Sequence, residues 1–226
     1  YNRNMKSLIR RAASYAMQPM EDPQKIQKLR RALKTARELI RPACIWKVFD
    51  LQRNGNGFLL AETPLALTGG LASEMLKDSE KCIVLGLTLG PVFDQYLKRM
   101  KALDPDEAFL LNAAGTALTD VYLLEQEAAI KKQLPDWYFT DPFSCGYGDL
   151  PLELQPLIFS LLDLPDKLNM ALETTAYIRP KKSMTAFIGL SRNPQPHPLR
   201  RCTDCSMIQC TFKGENGQAC WENIKL

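Results

Sequence analysis

Apolar residues return at helical spacing over residues 5–17, where Leu8, Ile9, Ala12, Ala13, Tyr15 and Ala16 mark one face of a helix. Asp22-Pro23 predicts the start of a second helix, with Pro in its first turn, running to about Arg41 ahead of Pro42. Residues 45–51 are rich in Trp, Val and Phe and have strand character. Arg53-Asn54-Gly55-Asn56-Gly57 supplies the positive torsions of a tight hairpin, and residues 58–61 form the returning strand. Thr68-Gly69-Gly70 opens a short helix that ends near Lys77. Residues 82–89 are an apolar run of strand length, suited to the middle of a sheet. Pro91 and Asp104-Pro105 open two more helices, ending near Lys101 and Gln133. The longer one contains Ala113-Ala114-Gly115-Thr116-Ala117, a patch of small residues that close packing against a neighbouring element would justify.

After Pro135 the texture changes. Residues 137–147 are extended and aromatic, 152–162 helical, and 168–178 and 182–190 are expected as two strands. From Ser191 the chain is a Pro-rich linker, Arg192-Asn193-Pro194-Gln195-Pro196-His197-Pro198, that leads into a cysteine cluster. Helices and strands mix without strict alternation, which predicts an α+β fold. The expected organisation is an N-terminal helical segment (1–42), an α+β core (43–190) and a linker with a Cys-rich tail (191–226).

Composition adds little to this picture. Of 226 residues, 46% are hydrophobic and 24% charged, as in an ordinary globular protein. No apolar run approaches the roughly 20 residues that span a bilayer, and no apolar stretch of signal-peptide type follows Tyr1 to Asn4. The expectation is a cytoplasmic protein without a membrane partner. The net charge of +4 draws on Arg10, Arg11, Lys25, Lys28, Arg30, Arg31, Lys34, Arg37 and Arg41. Such a helical face meets an acidic partner or a phosphate backbone, or is simply solvated.

The candidate chemistry is concentrated in two places. Cys44, Cys82 and Cys145 are single, whereas Cys202, Cys205, Cys210 and Cys220 crowd into the last 25 residues of the seven-cysteine chain. An odd count argues against a disulfide framework, and clustered soft thiolates point to zinc or an iron–sulfur cluster. His197, the only histidine, makes a multi-histidine metal site impossible. The second place is Phe143-Ser144-Cys145-Gly146-Tyr147-Gly148-Asp149-Leu150-Pro151-Leu152, where Gly146 and Gly148 let the backbone approach a ligand and Tyr147 offers a flat face. The same segment is also readable as a strand that ends in a turn. There is no Walker loop, dinucleotide Gly fingerprint or Gly-x-Ser-x-Gly elbow, and no catalytic residue is assigned.

Gly146-Tyr147-Gly148-Asp149-Leu150-Pro151-Leu152-Glu153 resembles the glycine–tyrosine motif of the activation domain of cobalamin-dependent methionine synthase, most closely its small stand-alone relatives. Leu87-Thr88-Leu89-Gly90-Pro91, Leu111-Asn112-Ala113-Ala114-Gly115-Thr116-Ala117 and Pro180-Lys181-Lys182-Ser183-Met184-Thr185-Ala186 resemble three further family segments, in the same order. The resemblance runs over about residues 45–210 and implies a twisted, largely antiparallel sheet packed with helices. It implies binding of S-adenosylmethionine and methylation or reductive reactivation of a corrinoid (cobalamin) on a partner protein, within a methionine synthase methyltransferase system. The ligand-binding residues it implies are Gly146, Tyr147, Gly148, Tyr177, Pro180 and Ser183, with no nucleic-acid partner. Two departures stand out: Pro142 occupies the place of a family Arg, and Ala176 that of an aromatic, with Tyr177 one step later. The alternative is a non-enzymatic iron–sulfur or zinc module, for binding or electron transfer, that has lost S-adenosylmethionine.

Overall fold

The computed structural model describes residues 2–17, 22–173 and 177–195. In chain order the elements are α1 (Asn2–Tyr15), α2 (Pro23–Leu39), β1 (Ala43–Asn54), β2 (Gly57–Leu60), β3 (Ala66–Leu67), α3 (Gly70–Leu76) and β4 (Lys81–Thr88). They continue with α4 (Pro91–Leu103), α5 (Pro105–Gln133), β5 (Tyr138–Phe139) and a 3-10 turn (Leu152–Leu154) that runs into α6 (Gln155–Leu162). Last come α7 (Leu164–Leu168), β6 (Ala171–Glu173), β7 (Tyr177–Arg179) and β8 (Ser183–Ser191). This is the expected α+β fold. Among the described residues no helix is long and apolar enough to cross a membrane. The chain divides into two compact units, one drawing on Tyr1–Arg41 and Leu89–Glu125, the other on Pro42–Thr88 and Gln126–Leu199.

In the first unit the local signals act as read. Asp22 caps α2, accepting from the amides of Gln24 and Lys25 at 3.0 and 3.2 Å. The seam Leu29, Ala32, Leu33 and Ala36 is buried with Leu8, Ile9 and Ala12 of α1, Phe93 and Leu97 of α4, and Leu111 of α5. Ala113, Ala114 and Ala117, the expected small-residue patch, lie in this core. Gly90 leads into α4 with φ +86°, and a Cβ there would come to 3.0 Å from the carbonyl oxygen of Arg41. A polar cluster also ties α1 to α5. Arg11 Nε lies 2.7 Å from Asp120 Oδ2, and the Tyr15 hydroxyl donates to the same oxygen.

The second unit is built on a six-stranded sheet of order β3-β2-β1-β4-β8-β5, antiparallel at every pairing. β4 sits at its centre and is buried at every position after Lys81, as its unbroken apolar run predicts. Its register pairs Cys82 with Gly189, Val84 with Phe187 and Gly86 with Thr185 on β8. On that face α3, α6 and α7 cover the sheet, and Leu76, Phe159, Leu162 and Leu164 share a core with Cys82, Val84 and Phe187. Gly86 makes room for Leu164, since a Cβ would meet its Cδ2 at 2.6 Å. Lys47 of β1 donates to the carbonyl of Leu161 near the end of α6, at 2.8 Å.

Two expectations need correction. Residues 168–178 do not form one strand. They span the end of α7 and a β6–β7 hairpin that pairs Leu172 with Ile178 and stands apart from the main sheet. Asp163 and Asn169 adopt left-handed torsions on either side of α7, and side chains of these types tolerate them. That lets the chain reverse where an extended reading runs straight on. Nor are residues 137–147 continuously extended: β5 has two residues, and past it the segment holds to β8 through Thr140 and Gly189 and through an isolated bridge between Phe143 and Phe187.

Candidate functional site

The glycine–tyrosine turn is anchored to the sheet before it begins. Phe143 is fully buried and exchanges two backbone hydrogen bonds with Phe187, at 3.0 and 2.8 Å, with ring centroids 5.6 Å apart. The Ser144 hydroxyl donates to the carbonyl of Thr185 at 2.7 Å. Thr185 in turn donates to Gln155 Oε1 at 3.0 Å, a buried polar pair at the start of α6. The turn therefore leaves the sheet beside the early half of β8, the strand that Ser183 opens.

The loop closes on itself. Tyr147 N–H donates to Ser144 O at 3.1 Å, Leu150 N–H to Tyr147 O at 3.0 Å, and Gly146 N–H to Leu150 O at 2.8 Å. Gly146 and Gly148 take φ of +87° and +53°, so this backbone needs a left-handed conformation twice within three residues. Both glycines are also crowded by the chain itself. A Cβ on Gly146 would stand 3.2 Å from Leu152 Cδ2, and one on Gly148 would stand 3.3 Å from Leu71 Cβ. Cys145, at the root of the turn, is buried, and burial pushes its thiol up to about 11. It is a neutral packing group rather than a nucleophile.

Asp149 was not assigned a ligand role from the sequence, and its partner is remote in the chain. Its carboxylate accepts from the amides of Gly70 and Leu71 at 2.5 and 3.0 Å, capping α3 from 79 and 78 residues away. These two amides hold its carboxyl below the usual carboxylate range. Gly69 admits it, because a Cβ there would lie 2.7 Å from Asp149 Cγ. The available signal was Thr68-Gly69-Gly70 itself, a helix start whose own N-cap has no side-chain acceptor.

The remaining expected ligand residues fall on neighbouring elements. Tyr147 is 49% exposed on the turn and Tyr177 71% exposed on β7. Pro180 is buried just past β7 and follows a cis peptide bond. Ser183 donates to Thr88 Oγ1 at 2.7 Å, so its hydroxyl proton is engaged between β8 and β4. Pro142, directly after the buried Asp141, contributes no side-chain donor. Cys202, Cys205, Cys210, Cys220 and His197 lie outside the described residues. Among the described residues, no group of three or more His, Cys, Asp or Glu side chains is placed to hold a metal.

The architecture defines an α+β protein: an antiparallel sheet with a buried central strand, helices across it, and a sharp Gly-Tyr-Gly turn tied to β8. No protein-family model and no curated protein matches the chain. Among solved structures, the crystal structure of the MetH reactivation domain bound to AdoHcy matches over 79% of this chain and 70% of that one, with a TM-score of 0.61 at 13% sequence identity. The chain has the fold of that reactivation domain, as the sequence resemblance implied.

Proposed function

We propose that this chain is an activation-domain-like protein that supports reductive reactivation or methylation of a corrinoid carried by a partner protein. The observation that carries this reading is the conjunction of the fold with the Gly146-Tyr147-Gly148 turn, an exposed aromatic on a backbone bent by two left-handed glycines. S-adenosylmethionine is the ligand expected there, held by the backbone at 146–148 and the ring face of Tyr147, with Tyr177, Pro180 and Ser183 in support. When bound it supplies an electrophilic methyl group. The residues fit a stacking contact, in which Tyr147 presents about half its surface, while the Gly146 and Tyr147 amides are already taken by Leu150 and Ser144 within the turn. Position 142 offers no cation to a ligand carboxylate, so affinity rests on the nucleoside end.

The test is isothermal titration of the full chain with S-adenosylmethionine and S-adenosylhomocysteine, on the natural sequence and on Tyr147→Ala. One-to-one binding that is lost in Tyr147→Ala supports the reading. No heat with either ligand at millimolar concentration removes the ligand from it.

Specific contacts favour a second reading, in which the fold persists without the nucleoside. Leu152 and Leu71 close on Gly146 and Gly148, Asp149 is committed to α3, and Pro142 lacks a donor. On that reading Cys202, Cys205, Cys210 and Cys220 hold zinc or an iron–sulfur cluster, and the chain is a binding or electron-transfer module. Metal and sulfide analysis of anaerobically purified protein separates the two. Iron and sulfide with silent titrations select the second reading, and a zinc-only or metal-free chain that binds the nucleoside selects the first.

A further inference from the structure

The first unit carries a groove that the proposed function does not use. It has a volume of about 690 Å³ and runs between α2 and the junction of α4 with α5. One wall is basic, with Lys25, Lys28 and Arg31 at i, i+3 and i+6 along α2. The other is acidic, with Asp104, Asp106 and Glu107. Phe109, 50% exposed, and the buried Leu110 complete the lining, and Leu103 stands 79% exposed beside Asp104.

Glu107 feels Arg31 and Lys28 electrostatically across the groove, but among the described residues no pair of opposite charges on the two walls closes to salt-bridge distance. Lys28, Arg31, Asp106 and the Glu107 carboxylate make no ion pair among the described residues. Among the described residues Lys25 pairs with Asp22 alone, at 3.9 Å, and Asp104 is engaged by the amide of Glu107 at 3.0 Å. Arg30, Lys34 and Arg37 extend the basic surface, and α2 has no acidic residue before Glu38. Like charges at i+3 and i+4 oppose a helix, and the apolar seam of α2 already holds it in place. This charge pattern is therefore not what folding requires.

We infer that this groove is a docking site for an acidic amphipathic helix of a partner protein. Its carboxylates would run along Lys25, Lys28 and Arg31, apolar anchors would cover Phe109 and Leu110, and a basic residue would answer Asp106 and Glu107. The acidic wall decides the class of partner. A nucleic-acid backbone or an anionic lipid surface laid over α2 would bring phosphates against three carboxylates and leave Phe109 without an apolar partner. The inference is independent of the ligand at the Gly-Tyr turn, and neither S-adenosylmethionine nor a corrinoid enters its test.

The probe is a fluorescein-labelled helical peptide with a Glu edge, a Leu crest and a Lys edge, titrated with the full chain and followed by anisotropy. Controls are the same peptide with Glu replaced by Gln or Leu by Ser, a random-sequence DNA duplex, and phosphatidylserine vesicles. The expected result is saturable binding, weakened about tenfold or more by Lys28→Glu with Arg31→Glu, as for loss of close interfacial charge pairs. Phe109→Ala should weaken the Leu-crested peptide and leave the Ser-crested one unchanged. Thermal melts of the variants that overlay the parent confirm that folding is intact. Tighter binding to DNA or vesicles than to the peptide overturns the inference. So does binding indifferent to the double charge reversal or to Phe109→Ala.

Discussion

Replacing Asp120 by Ala tests whether the Arg11–Asp120–Tyr15 cluster holds α1 in place. Two donors converge on one carboxylate oxygen: the Arg11 guanidinium at 2.7 Å and the Tyr15 hydroxyl. The Arg11 and Asp120 side chains are 13% and 25% exposed, so the pair lies between a surface bridge and a buried one. Exposed pairs contribute about 0–1 kcal/mol, whereas removing one partner of a buried pair costs about 3–5 kcal/mol. The intermediate burial places Asp120→Ala at about 2–3 kcal/mol. For a chain of this size that corresponds to a fall of about 4–12 °C in Tm. Urea denaturation followed by circular dichroism, on Asp120→Ala, Tyr15→Phe and the double variant, measures both the loss and the coupling between the two residues. A companion pH series checks the cause. Burial and then Asp120 raise the Tyr15 phenol above its ordinary value, so the folded state keeps its proton after the unfolded chain begins to lose it near pH ~10. The Tyr15 contribution is thus complete below that pH and lost as pH rises above it, and Tyr15→Phe should flatten the alkaline decline. A loss of under about 0.5 kcal/mol in Asp120→Ala, with additive variants, would show the cluster to be an ordinary surface contact and refute the reasoning.

Gly189→Ala should be far more damaging than Gly55→Ala, measured by yield of folded protein and urea midpoint. A Cβ on Gly189 meets Ser79 Oγ at 2.3 Å and Leu76 Cδ2 and Thr140 Cγ2 at 2.9 Å, whereas at Gly55 nothing lies within 4 Å and only a left-handed torsion opposes it. Asp149→Ala should raise hydrogen exchange at the Gly70 and Leu71 amides, and acid should act the same way. The depressed folded pKa makes the cap complete above the unfolded carboxyl value and lost as pH falls below it; unchanged exchange rates would remove Asp149 from that role. Alkylation of Cys82 at mildly alkaline pH, mapped by mass spectrometry, should be slower than that of a free thiol by about three orders of magnitude or more. Burial pushes its thiol from the ordinary 9.0 up to about 12, and rapid labelling would show that this part of the sheet opens readily.

Most helix starts were legible because their causes are local. Pro23, Pro91 and Pro105 each occupy the first turn of a helix, and Asp22 and Asp104 supply side-chain caps within three residues. The strand at 81–88 was legible because burial on both faces leaves an unbroken apolar run. The Gly-Tyr-Gly segment could be marked as a turn because positive φ restricts residue type at the position itself. By contrast, β3, α7 and the β6–β7 hairpin escaped. They are two to five residues long, too short for any periodicity to register.

The amino-acid sequence by itself determined the α+β class, the central strand, the long helices and the position of the turn, each through effects acting over a few residues. Tertiary structure alone decided the strand order β3-β2-β1-β4-β8-β5 and the register that sets Phe187 beside Val84 and Phe143. It also decided that Asp149 caps a helix 79 residues away, and that Arg11 and Tyr15 share Asp120. Partners so far apart leave no mark in local composition. Their pairing depends on which apolar faces are buried together, and that is settled only when the whole chain has collapsed.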